Sequence, residues 1–176
     1  VKAHFYRELF CDWFDYEDVY RDVAGRVPEG GTIVELGVHE GASLAFLAVE
    51  LVNLGKRVSL VGVDHFQTDD QKLARVNDWI AREGFANMIE LVRTETWKAA
   101  PLFADETIDF VWVDADHSEE CCTLDIAAWF PKLKPAGWMG GHDYCADGVH
   151  NAVCKFFGPR GIYFGPVGQI SWQITR

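Results

Sequence analysis

The strongest constraint on this chain is an alternation, repeated five times from Thr32 onward, of a short apolar run and a longer stretch with helical periodicity. Thr32-Ile-Val-Glu-Leu-Gly37 is a β-branched run ending in glycine, and residues 42–54 follow with Leu44, Leu47, Ala48 and Leu51 on one helical side. Residues 58–63 and 69–82 repeat the pair, and residues 88–92 with a shorter helix over 97–103 repeat it again. Residues 108–113 are almost wholly apolar, as a strand buried on both faces should be. Ser118 then stands as the N-cap of a helix that turns Cys122, Ile126, Trp129 and Phe130 inward. After a turn at Pro135-Ala-Gly137, residues 138–141 open a fifth strand, and Val149, Val153 and Phe156 or Phe157 mark one more helix. Residues 162–164 and 170–175 fit a closing antiparallel hairpin. Regular alternation of this kind predicts an α/β chain: one doubly wound domain over residues 1–176, with a mostly parallel seven-stranded sheet and helices on both faces. Residues 1–30 form its helical lead-in, in which Tyr16, Val19, Tyr20 and Val23 share one face of a helix read over 5–26.

Charge narrows the partners. Twenty-seven acidic residues against 16 basic ones leave a net charge of −11. Such a field repels phosphate backbones, and no run of Lys and Arg offsets it, so nucleic acid is disfavoured and a small molecule or divalent cation is expected. The cysteines, Cys11, Cys121, Cys122, Cys145 and Cys154, are odd in number and form no C-x-x-C, which reads as reduced thiols. No apolar run reaches the roughly 18 residues of a membrane span, and the amphipathic start lacks a signal-peptide core. The expectation is a cytoplasmic protein with no membrane partner. The lead-in helix is short for a covering lid, which suggests that it packs against a second copy in a homo-oligomer.

In a doubly wound sheet the ligands sit at the carboxyl ends of the strands. The first such end carries Glu35-Leu-Gly37-Val-His39-Glu-Gly41-Ala-Ser43, where glycines permit a tight turn and close approach of a ligand. Asp64 ends the second strand about twenty residues further on, the usual place for a carboxylate that holds ribose hydroxyls. The plainer alternative is that Gly37 and Gly41 only shape a turn and Asp64 caps the next helix. The fourth strand ends in Asp114-Ala-Asp116-His117-Ser118, and the fifth in Gly140-Gly-His142-Asp143-Tyr144. These strands are neighbours in a parallel sheet, so two carboxylates and a histidine can converge on one point, a donor set that suits Mg²⁺ or Mn²⁺. Asp116 and Ser118 also read as helix caps, His142 with Asp143 as a pair fixing a loop, and Tyr144 as lining a pocket or covering the sheet.

The first of these segments resembles the E-x-G-x-G-x-G loop of class I S-adenosylmethionine-dependent methyltransferases, with Glu35, Gly37 and Gly41 matching and His39 replacing the central glycine. The resemblance implies a Rossmann-like fold and S-adenosylmethionine as cofactor, bound by Glu35, Gly37, Gly41, Ser43, Asp64, Thr96, Trp97 and Asp114. Within that, Gly37 would lie near the methionine part, Asp64 on the ribose, and Thr96 and Trp97 on adenine. The segment from Asp109 to Ser118, followed by Leu133-Lys-Pro-Ala-Gly137 and His142-Asp143-Tyr144, is similar to the metal-dependent O-methyltransferases, in the branch with macrolide-sugar and antibiotic-tailoring enzymes. That resemblance implies a divalent metal, Mg²⁺ or Mn²⁺, on Asp114, His142 and Asp143, with His117 as the base. The implied reaction is methyl transfer to a hydroxyl of a small-molecule acceptor, in which the metal lowers the pKa of the hydroxyl and the histidine removes its proton.

Three alternatives stand beside this reading. One is a metal-independent methyltransferase with His117 as base. Another is a nicotinamide dehydrogenase, disfavoured because His39 occupies the position where a pyrophosphate needs glycine. The third is a non-catalytic Rossmann-like binding module. Cys121 and Cys122, lying in an acidic region, read as packing, and Trp138 and Trp172 as core; Asp69-Asp70 opens a helix where acids suit the dipole. The loop over 65–68 flanks the acceptor pocket in this reading.

Overall fold

The computed structural model describes residues 1–9, 13–158, 163–164 and 171–176. The readings placed on Cys11, Ile162 and Ile170 lie outside the described residues. Helix α1 (Glu17–Arg26) precedes strand β1 (Thr32–Leu36), and α2 (Ala42–Asn53), β2 (Ser59–Asp64), α3 (Asp70–Arg82) and β3 (Ile89–Arg93) follow. The second half runs α4 (Thr96–Ala99), β4 (Ile108–Val113), α5 (Glu119–Trp129), β5 (Leu133–Gly141), α6 (Asp147–Phe157), β6 (Tyr163–Phe164) and β7 (Trp172–Thr175). Six strands of four or more residues lie in the order β3-β2-β1-β4-β5-β7, and the two-residue β6 pairs with the outer side of β7. All pairings are parallel except those of β7, which runs antiparallel to β5 and β6.

The register decides where a ligand can sit. Leu36 pairs with Val63 on one side and Val113 on the other, and Val113 pairs with Gly141. One row of residues therefore crosses the sheet at its carboxyl edge. The next residue in each case, Gly37, Asp64, Asp114 and His142, lies above that row, Asp64 as the last residue of β2 and the others as the first of a loop. The chain order reverses between β1 and β4, and the crevice opens at that switch point.

Alternation along the central strands splits the core into two layers. Ile33, Phe110 and Trp112 face α1, α2 and α3, while Val34, Leu36, Val111 and Val113 face the layer of α4, α5 and α6. Helix α2 is buried from Ala42 to Val49 and again at Leu51, because α1 covers the side that would otherwise meet water. At roughly 1.5–3 kcal/mol for each fully buried large apolar side chain, these two layers supply the main stabilising contribution.

Two segments differ from the sequence reading. The lead-in is not one helix over 5–26: a 3₁₀ turn at Tyr6–Glu8 and α1 are separate, and residues 13–16 between them are not helical. Side chains from this stretch pack inward, with Phe14 edge-on to Tyr6 and Tyr16 and tilted against Phe46. Val19, Tyr20, Val23 and Ala24 of α1 are fully buried in the chain's own core, so this face is already covered without a second copy. The other difference is at Pro135-Ala-Gly137, which lies inside β5 rather than before it. The ladder shifts register between Ile108 and Phe110, which pair with Leu133 and Trp138 respectively, and Ala136 adopts φ 65°. Proline is tolerated at such a bulge because no ladder bond is asked of its missing N–H. Asp109 ties the bulge down, accepting from Lys134 Nζ at 2.8 Å and from the Thr32 amide at 2.8 Å.

Candidate functional site

A cavity of about 750 Å³ opens over the carboxyl edge of the sheet. One half is formed by the ends of β1, β2 and β3. Gly37, with φ 93°, lies so close to the neighbouring strand end that a Cβ would fall 1.9 Å from the Asp114 carbonyl oxygen. His39 follows in the left-handed region with φ 51°, and Gly41, φ 82°, starts α2 against the Trp79 ring. Asp64 holds this loop down: its Oδ2 accepts the amides of Val38 at 2.9 Å and His39 at 2.8 Å, and its Oδ1 accepts the amide of Phe66.

Of the residues expected to bind a cofactor, Gly37, Ser43, Asp64, Thr96, Trp97 and Asp114 line the cavity. Glu35 and Gly41 do not. Glu35 is fully buried beneath the loop, where the Tyr20 hydroxyl donates to it at 2.7 Å and the Ser43 hydroxyl at 2.8 Å. Burial pushes its carboxyl up to about 8, against the opposing pull of those two donors. Its part is to brace the loop from below, and Gly41 makes room for Trp79. His65 and Gln67 also line the cavity, beside Asp64. Behind Thr96, whose carbonyl accepts from Trp129 Nε1 at 3.0 Å, lies the buried Asp125. Neither of its oxygens has a well-formed hydrogen bond among the described residues, and burial pushes its carboxyl up to about 7.

The other half is formed by the ends of β4 and β5. Asp114, His117 and Asp143 bring one ligand atom each to within 4.8 Å of one another. His117 Nε2 lies 3.1 Å from Asp143 Oδ2 and 3.9 Å from Asp114 Oδ1. The carboxylates raise the pKa of this imidazole, Asp114 most strongly. His142, expected in the metal set, is not in the group. Its Nε2 pairs with Asp15 Oδ1 at 3.0 Å and its Nδ1 with Asp143 Oδ2 at 3.1 Å, so both ring nitrogens are engaged. Burial alone would lower the pKa of His142, but Asp143, Asp114 and Asp15 outweigh that and leave it raised.

Asp116 and Ser118 cap as expected: Asp116 accepts the Ser118 amide at 2.8 Å, and Ser118 accepts the Cys121 amide at 3.3 Å. Tyr144 covers the sheet, buried beside Cys154 and His150. Cys122 is packed as predicted, its thiol pushed up to about 12 by burial, whereas Cys121 reaches the cavity wall.

Sequence reasoning missed the segment that closes this half. Trp13, Phe14, Asp15 and Tyr16 all line the cavity. The Tyr16 hydroxyl donates to Asp114 Oδ2 at 2.8 Å, Asp15 holds His142, and the Trp13 ring packs 4.9 Å from that of His39. Three side chains within four residues thus reach three different strand-end loops. The signal in the sequence is the run Asp12-Trp-Phe-Asp-Tyr16, where aromatics and acids fall without helical spacing.

Comparison with known proteins agrees with this geometry. A family model described as a methyltransferase domain matches residues 34–144, from β1 to the end of the β5 loop. No curated protein sequence matches the chain. Among solved structures, cofactor-bound Rv0187 from MTB superposes with a TM-score of 0.72 at 16% identity, covering 96% of this chain and 83% of that one. CalS11, a TDP-rhamnose 3′-O-methyltransferase of calicheamicin biosynthesis, gives 0.68 at 18% identity, covering 90% and 76%. The S-adenosylhomocysteine-bound methyltransferase PaMTH1 of Podospora anserina gives 0.69 at 12% identity, covering 91% and 76%. At such identities the superpositions speak for the fold, and the family match for the rest. The chain belongs to the methyltransferase domain family, with the strand order and strand-end loops of S-adenosylmethionine-dependent methyl transfer.

Proposed function

We propose that this chain transfers a methyl group from S-adenosylmethionine to a hydroxyl of a small-molecule acceptor, with a divalent ion, Mg²⁺ or Mn²⁺, at the acceptor end. The observation that carries this reading is that Asp114, His117 and Asp143 converge in the same cavity as the Gly37–Ser43 loop. Two carboxylates and an imidazole within 4.8 Å of one another fit a small hard cation, and the fit is better for manganese than for magnesium because one donor is nitrogen. When bound, the ion would lower the pKa of the acceptor hydroxyl.

The chain's own residues do the rest. Gly37, Ser43, Asp64, Thr96 and Trp97 hold the cofactor along the β1–β3 edge. Asp114 and Asp143 face the acceptor, and Tyr16 and His142 fix their orientation. His117 is half-exposed at the cavity wall, where it can accept the acceptor's proton at Nε2. Asp114 and Asp143 raise its pKa; an ion held on that nitrogen would exclude the base role, so base and ligand are alternative roles of His117. The carboxylates crowd negative charge at this end with no Lys or Arg among the described residues lining it, which favours a neutral or cationic acceptor over an anionic one. The similarity to CalS11 supports oxygen as the atom methylated.

The test is calorimetric titration of S-adenosylmethionine with and without Mg²⁺ or Mn²⁺, on the wild-type chain and on Asp114→Ala. Cofactor binding together with an ion-binding heat that Asp114→Ala loses is the expected result. Cofactor binding without any ion heat would leave His117 acting alone as base, and no cofactor binding would remove the reading.

A further inference from the structure

Lys72 lies in the first turn of α3 and is only 7% exposed. Buried lysines are almost always paired, because a desolvated ammonium is costly. Here the sole acceptor among the described residues is Gln67 Oε1, at a long 3.4 Å, and no carboxylate lies within ion-pair distance. The side chain lines the cavity beside His39, Asp64 and Gln67, and among the described residues it is the only Lys or Arg that does so. At least two ammonium donors are left for whatever fills that corner.

The partner across the corner is Asp64. A carboxylate offers about four acceptor sites, and the amides of Val38, His39 and Phe66 take three of them. Asp64 by itself therefore has about one site left for a vicinal diol that brings two donors and two acceptors. Lys72 supplies what the diol's oxygens lack, a donor. We infer that Lys72 is a cofactor-binding residue that donates to a ribose hydroxyl oxygen, while that hydroxyl donates in turn to the remaining site on Asp64. The ribose is then held between a cation and an anion, and Asp64 can keep the β1–α2 loop in place while it binds. This inference rests on the methyltransferase reading, since that reading supplies the nucleoside.

The experiment is calorimetric titration of S-adenosylhomocysteine and of 5′-methylthioadenosine, which has the same nucleoside but no amino-acid part. Lys72→Met keeps the apolar stem and removes the charge. It should weaken both compounds by about tenfold or more, the size of a lost charge-assisted hydrogen bond, with equal factors for the two. Unchanged affinity for both would overturn the inference. A loss confined to S-adenosylhomocysteine would overturn it too, by placing the ammonium on the methionine carboxylate. If Lys72→Met does not fold, Lys72→Arg decides: the charge stays but the donor moves, so 5′-methylthioadenosine should bind at least about threefold more weakly, and equal binding would refute the contact. A wild-type chain that binds neither compound would remove the methyltransferase reading and this inference with it, an outcome distinct from a wild-type chain that binds both and a variant that binds equally well.

Discussion

The two halves of the cavity are held in different ways. On the β1–β3 side the groups that face the cavity are anchored to backbone: Asp64 accepts three amides and Gly37 packs against a carbonyl, while Glu35, beneath the loop, is held by the Tyr20 and Ser43 hydroxyls. On the β4–β5 side they are anchored to other side chains, Tyr16 on Asp114 and Asp15 on His142, across 98 and 127 residues of sequence. Backbone anchoring makes a site that survives most changes to its neighbours. Side-chain anchoring makes one whose geometry depends on each partner in turn.

Four changes would break or sharpen that contrast. Gly37→Ala strikes both halves, since its Cβ would fall 1.9 Å from the Asp114 carbonyl and its φ of 93° suits only glycine. We expect a loss of at least about 3 kcal/mol in stability and no measurable S-adenosylhomocysteine binding, read by thermal denaturation and calorimetry. Asp114→Ala should separate the halves: ion affinity falls by about 100-fold or more, while S-adenosylhomocysteine affinity stays within about threefold. Equal damage to both ligands would mean the halves are one unit. Tyr16→Phe keeps the ring that packs on Trp112 and His142 and removes only the hydroxyl. Manganese affinity should drop about tenfold by calorimetry with cofactor affinity unchanged, and no drop would show that Asp114 needs no second anchor.

The last effect concerns pH and is small over any one pH unit. Asp125 and Glu35 are buried carboxyls whose pKa values are raised to about 7 and about 8 from 3.8 and 4.5. A raised folded-state acid means the unfolded chain loses its proton first, so stability falls as pH rises through the window between the two values. Each group contributes a slope of at most about 1.4 kcal/mol per pH unit. Asp125→Asn should flatten the denaturation midpoint between about pH 4 and 7, and a midpoint with unchanged pH slope would contradict the burial argument.

What the sequence made legible follows the same division. The glycines and acids at the ends of β1 and β2 carry their meaning locally, through turn geometry and spacing, and the sheet register then places Asp114 and His142 beside them. The bulge at Pro135-Ala-Gly137 was read as a turn because both want the same residues; only the pairing of Leu133 with Ile108 tells them apart. His142 reads as a metal ligand in the sequence because the resemblance to metal-dependent O-methyltransferases implies a ligand pair with Asp143 at the end of the fifth strand. The group that engages its other nitrogen, Asp15, lies near the start of the chain, where no periodicity pointed to it. Lys72 was hidden for a related reason: it falls in line with Val76 and Trp79 on the buried face of α3, where helical spacing marks only apolar residues, and the packed structure shows that it lines the cavity.

The segment over residues 13–16 has a consequence for the order in which the molecule assembles. Its anchors are His39, Asp114 and His142, and the last of these is in place only after β5 has joined the sheet. Closing loops of that length is entropically costly until the pieces they join are already formed. The part of the chain made early therefore docks late. Local opening should begin there as well, exposing the carboxylates while the two core layers and the Gly37 loop remain folded.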